Sequence, residues 1–142
     1  MVTSDKIALD RLPADLRDPK CKHVDYPTKL PRVSVIIVFH NEGWSPLMRT
    51  VHTVIKQSPK EILGEIVMVD DGSHKEHLGE QLDNHLKQFN GLVRVVRNTR
   101  REVSYFESLI SHSKIPHLKD FGIFFSKGHN IQVILFTLNW VI

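Results

Sequence analysis

Two strand-like runs end in polar chemistry, and an amphipathic segment joins them. The first, Val33-Ser-Val-Ile-Ile-Val-Phe39, stops at His40-Asn41-Glu42. The second, Glu65-Ile-Val-Met-Val69, stops at Asp70-Asp71-Gly72-Ser73. Both runs are continuous rather than alternating, and the first is β-branched along most of its length. A half-solvated strand alternates in polarity, so unbroken apolar runs require cover on both faces. That constrains the chain to a buried parallel sheet with helical crossovers.

The segments between and after these runs supply the crossovers. Residues 45–57 read as a helix. Ser45 is placed to cap it, Pro46 suits its first position, and Leu47, Val51, Val54 and Ile55 share one face. Ser58-Pro59 ends it. Residues 74–89 read as a second helix, with Ser73 and Glu76 at capping-box spacing. Its apolar face is Leu78, Leu82, Leu86 and Phe89, and Asn90-Gly91 stops it. A third strand follows at 92–96. The order β-α-β-α-β with short connections predicts one parallel sheet, the nucleotide-binding half of a doubly wound α/β fold. The predicted organisation is an extended lead-in arm over 1–31, a partial α/β domain over 32–102 and a divergent, irregular tail over 103–142. The arm carries Pro13, Pro19, Pro27 and Pro31, and no period survives there. The tail holds five of the seven phenylalanines without clean periodicity. Within it, Ile131 to Ile142 is strand-like and needs a sheet to join.

Composition excludes several functions. Nineteen Lys and Arg against 16 Asp and Glu leave a net charge of +3. No basic stripe interleaved with aromatics accompanies it, so nucleic acid is not an expected partner. The longest apolar stretch, 131–142, is too short for a membrane span, which needs about 20 residues. A single cysteine, Cys21, makes neither an internal disulfide nor a thiolate zinc site. There is no glycine-rich phosphate loop and no serine or cysteine nucleophile motif.

Ligands of open α/β sheets bind beyond the carboxyl ends of the strands. That rule selects Val38 to Glu42, Asp70 to Ser73, and Arg97 to Glu102. Asp70 and Asp71 are acceptors for a base or ribose hydroxyl, with Ser73 expected to cap the next helix and leave both available. The alternative gives one Asp to a cap and the other to the turn. His40 ends the first strand within reach of a ligand, or is a loop histidine bonded to backbone. Arg97, Arg100 and Arg101 offer forked donors to phosphate, or a solvated turn. His74 and His77 lack a third ligand for a metal. Asp83 and His85 diverge on their helix. The residues themselves point to no catalytic or metal side chain.

These strings together resemble the polypeptide N-acetylgalactosaminyltransferases. The likeness runs through Leu30-Pro-Arg-Val-Ser-Val-Ile-Ile-Val-Phe-His-Asn-Glu42, Trp44-Ser45 and Leu47-Met-Arg-Thr-Val-His52. It continues through Ser58-Pro59, Glu65-Ile-Val-Met-Val-Asp-Asp-Gly-Ser73, Glu76-His77-Leu78 and Arg97-Asn-Thr-Arg-Arg-Glu102. Leu16-Arg-Asp-Pro-Lys-Cys21 and Tyr26-Pro27 match the family's lead-in. The resemblance implies a GT-A fold of the glycosyltransferase 2 type. It implies transfer of N-acetylgalactosamine from UDP-GalNAc to Ser or Thr of proteins, mucin-type O-glycosylation, with manganese, in the Golgi lumen. It places Asp71 on the uridine nucleotide, with Asp70 in the same UDP-sugar set, His40 beside the base and Arg101 on the donor side. Val38 becomes a packing contact, and Cys21 pairs in a disulfide with a later part of the catalytic domain.

The likeness stops after Glu102, where Val103-Ser-Tyr-Phe replaces the family's continuation. The family's Asp-x-His manganese motif, second catalytic half and acceptor groove have no counterpart in 103–142. The expectation is a truncated form, such as an alternative isoform, that is inactive alone. The alternative is a non-catalytic fragment that binds a nucleotide, or a protein through an exposed sheet edge.

Overall fold

The structure is a computed structural model that describes residues 2–11, 14–25, 27, 29–101, 124–127 and 131–137. Three parallel strands lie where the apolar runs place them: β1 Val33–Phe39, β2 Leu63–Asp70 and β3 Val93–Arg97. Between them run helix α2, Trp44–Gln57, and a broken helical segment. That segment is a 3-10 turn at Glu76–Leu78, helix α3 at Glu80–Leu86 and a second 3-10 turn at Lys87–Phe89. A one-turn helix α1, Val2–Asp5, opens the chain.

Both crossovers step the same way, from β1 to β2 to β3, so α2 and α3 pack on one face. Val35, Ile37 and Phe39 of β1 and Ile66 and Met68 of β2 meet Leu47, Met48 and Val51 of α2. Leu78, Leu82 and Leu86 close the same core. Ile36, Val38, Val67 and Val69 alternate onto the opposite face and are also buried. Burial on both faces is what the unbroken apolar pattern requires.

The sheet order is β3-β2-β1-β5-β4. Strands β4, Phe124–Lys127, and β5, Ile131–Thr137, come from the divergent tail. β5 runs antiparallel to β1 from Val33↔Thr137 to Phe39↔Ile131. The strand-like segment therefore finds a sheet, and β1 becomes central. Among the described strands β3 stays at the other edge of the sheet, where the sequence reading expected an open strand. Backbone groups left open along β1 find partners when β5 adds to it, which removes the cost of unpaired donors. Residues 103–123 of the tail lie outside the described residues.

Local chemistry departs from expectation at two helix starts. The cap of α2 is Gly43, and Ser45 sits inside the first turn. Its hydroxyl donates to Asp5 Oδ1 at 2.6 Å. Arg49 donates from Nη1 to the carbonyls of Ser4 and Ile7 at 2.8 and 3.1 Å. The lead-in arm is thus tied to α2 over its first ten residues. The 74–89 helix begins late because Ser73 does not cap it; the cap positions are Lys75 and then Gly79. Asn90 ends the segment in the left-handed region at φ 50°, as the Asn-Gly stop predicts.

Candidate functional site

The polar ends of β1 and β2 form one clasped surface. Asn41 takes the left-handed conformation, φ 47°, which Asn tolerates better than most residues. This turn aims its backbone N–H at Ser73 Oγ, 2.8 Å away. Its side-chain Oδ1 accepts from the His74 backbone N–H at 3.0 Å. His40 Nδ1 donates to the Asp71 carbonyl at 2.8 Å. Three bonds therefore join the loop after β1 to the loop after β2. Ser73 Oγ is occupied by this clasp, which is why no capping box forms.

Asp70 and Asp71 separate in role. Asp70 is 4% exposed and its Oδ1 accepts from the Ser73 backbone N–H at 2.8 Å. Its Oδ2 lies 3.9 Å from Arg97 Nε. Asp70 holds its own turn, so the expectation that Ser73 frees both carboxylates is corrected. Asp71 is 2% exposed. Its backbone N–H extends the ladder to Phe39 O at 2.9 Å. Its carboxylate faces Asn98 Nδ2 at 3.4 Å and Arg101 Nε at 3.8 Å. Arg101 is mostly exposed and lies at the rim. Gly72, at φ 69°, lets the turn lie against this segment: a Cβ there would stand 2.7 Å from the Arg101 backbone N.

Arg97 is a brace, and the phosphate reading is corrected for it. Its Nη2 donates to the carbonyls of Leu78 and Gly79 and to Asp83 Oδ1, at 3.0, 3.3 and 2.9 Å. Arg100 is exposed beside Arg101. His77 Nε2 donates to the Glu42 carbonyl at 2.9 Å, another tie onto the loop after β1. Trp44, His85, His52 and Phe89 pack edge-to-face behind it, with centroids 5.0 to 6.2 Å apart. Burial holds His52 and His85 below the usual imidazole range. Asp10 partly opposes this at His52, and His52 reinforces it at His85.

Of the predicted site residues, His40, Asp71 and Arg101 are brought together, and Asp70 supports them from below. Asn41, Ser73 and Asn98 belong to the same constellation; they lie in the segments the sequence reading selected, but it gave Asn41 and Asn98 no individual role and made Ser73 a helix cap. Asn at the end of an apolar strand is the signal for Asn41. Among the described residues no three His, Cys, Asp or Glu side chains gather into a set that would hold a metal ion.

Residues 34–107 match the family model described as glycosyl transferase family 2. The chain belongs to that family. Human N-acetylgalactosaminyltransferase 7 is 60% identical over 102 residues, covering 72% of this chain and 16% of the relative. The Drosophila melanogaster N-acetylgalactosaminyltransferase 7 is 59% identical over 99 residues, covering 70% and 17%. Human polypeptide N-acetylgalactosaminyltransferase 10 is 50% identical over 99 residues, covering 70% and 16%. A crystal structure of GalNAc-T7 with UDP, GalNAc and Mn2+ superposes with a TM-score of 0.70 at 59% identity. It covers 71% of this chain and 19% of that one. The resemblance carried by the motifs is thus borne out, and the chain spans about a sixth of the length of these curated relatives. The parallel half matches a known GT-A enzyme. No helix among the described residues is long and apolar enough to cross a membrane.

Proposed function

We propose that this chain forms the nucleotide half of a polypeptide N-acetylgalactosaminyltransferase site and holds the uridine diphosphate part of UDP-GalNAc. The observation that carries the reading is the buried Asp71 carboxylate. It sits at the carboxyl end of β2, with His40 on one side and Arg101 on the other. Asp71 accepts from uridine hydroxyl or imide groups, His40 lies beside the base, and Arg101 faces the donor phosphates with forked donors. Asp70 acts by holding the turn. The GalNAc-T7 structure with UDP and GalNAc supports the choice of ligand.

These 142 residues, taken alone, bind the nucleotide without transferring sugar. Arg101 supplies one positive charge to the diphosphate, less than a bound metal would, and metal stabilisation of a leaving group is commonly worth several kcal/mol. The Ser/Thr acceptor, the Golgi lumen and a disulfide for the exposed Cys21 come with the same reading. Calorimetry with UDP tests it. Saturable binding that Asp71→Ala abolishes is expected, and no heat with the folded wild-type chain would refute it. Metal-dependent transfer to a Ser/Thr peptide by this chain would refute the inactivity.

A further inference from the structure

Both polar atoms of His40 are engaged inside the protein. Nδ1 lies 2.8 Å from the Asp71 carbonyl oxygen, which only accepts, so Nδ1 carries a hydrogen. Nε2 lies 3.1 Å from Asn41 Nδ2. The orientation of the Asn41 amide is set independently, because its Oδ1 accepts from the His74 backbone N–H at 3.0 Å. The atom facing His40 is therefore the NH2 group, which only donates. Its other side faces the His74 ring, 3.2 Å from Nδ1. An NH2 donor against Nε2 requires a bare nitrogen there. The two contacts suit a His40 ring with its hydrogen on Nδ1 and none on Nε2.

We propose that Asn41 is a positioning residue of the nucleotide site. It occupies His40 Nε2 while the Asp71 carbonyl occupies Nδ1, and it joins the two strand-end loops, so that His40 offers the ligand its ring face and not a hydrogen-bonding nitrogen. The ligand group this suits is a flat heteroaromatic base, which stacks on an imidazole without needing a donor or acceptor from it. The proposal rests on the reading that a uridine nucleotide lies at this site. Asn serves three needs at once. It adopts φ 47°, gives its N–H to Ser73 Oγ, and uses both ends of its amide. Gly meets only the first two, and Asp reverses the end that faces His40.

Nitrogen-15 NMR of the imidazoles, with UDP titration by calorimetry, tests this on wild type, Asn41→Gly and Asn41→Asp. Gly tolerates the left-handed turn, so that variant keeps the fold. Wild type is expected to show protonated Nδ1 and bare Nε2 at His40. Asn41→Gly is expected to leave the hydrogen on Nδ1, where the Asp71 carbonyl holds it, to release Nε2 from its donor, and to bind UDP roughly tenfold more weakly, the scale of one lost stacking contact. Asn41→Asp is expected to put a hydrogen on Nε2. A wild-type His40 with Nε2–H would overturn the Asn41 contact at Nε2. Unchanged UDP affinity in Asn41→Gly, with wild type binding, would overturn the positioning role. Absence of UDP binding by wild type would instead remove the nucleotide reading, leaving the Asn41 contact at Nε2 to the NMR result.

Discussion

Acidification is expected to destabilise this protein through His52 and His85. The two rings face each other from α2 and from α3, 6.0 Å apart, with Trp44 and Phe89 around them. Nε2 of each ring is enclosed and makes no hydrogen bond to the described residues. A proton placed there meets desolvation and, for His85, the charge of His52. Asp10 draws His52 the other way, while Lys56, paired with Asp10 at 2.8 Å, opposes protonation. Both folded-state pKa values therefore lie below the unfolded value near 6.5. In the window below 6.5 the unfolded chain binds more protons, so stability falls as pH falls. Above the window the contribution is fully present. Each imidazole sets a ceiling of about 1.4 kcal/mol per pH unit, about 2.7 for the pair. Solvent reaches part of both rings, which keeps the realised slope under that ceiling. Urea midpoints at pH 8, 7, 6 and 5.5 read the effect. The Asp10 carboxylate, lowered by Lys56, and Asp15, lowered by Arg17 to about 2, titrate below this range. His52→Phe with His85→Phe keeps aromatic packing and removes both titrations, so its profile should be flatter than wild type. An equal slope in the double variant would refute the reasoning.

Other perturbations follow from single contacts. Arg97→Met should cost about 2–3 kcal/mol in urea unfolding, because it removes a charged donor from two carbonyls and leaves buried Asp70 with less compensation. A double-mutant cycle on Glu65 and Arg94, 2.9 Å apart and partly exposed, should couple by less than about 1 kcal/mol. Leu82→Ala, fully buried under the sheet, should cost about 2–5 kcal/mol. Asn90→Ala should cost about 1 kcal/mol by placing Ala in the left-handed region, and Asn90→Gly should be near neutral, both read by thermal melts.

Much of the fold was legible because apolar period and length carry it. Val35 to Phe39 and Ile66 to Val69 have no polar position at which to expose an edge, so only a covered sheet satisfies them. Helix α2 was legible from its face, Leu47 and Val51. Its cap was not, because Ser45 found Asp5 across the arm, a contact 40 residues away in sequence. The second helix was over-read for the same reason. Ser73 has equal local claims on a cap and on a neighbouring loop, and the distant Asn41 N–H decided it.

The sequence alone determined the parallel α/β order, the strand ends where chemistry collects, and the family, since each rests on local pattern or on a string of residues. Only the tertiary structure decided the division of labour there. It made Asp70 a turn residue and Arg97 a brace, left Asp71 with Arg101 at the rim, and placed Asn41 between two imidazoles. It also put β5 on the open side of β1. The physical reason is shared. A hydrogen-bonding group accepts whichever partner the fold brings within about 3 Å, and that partner comes from another strand or loop. A residue's type states what it can bond, and the packing of distant segments states what it does bond.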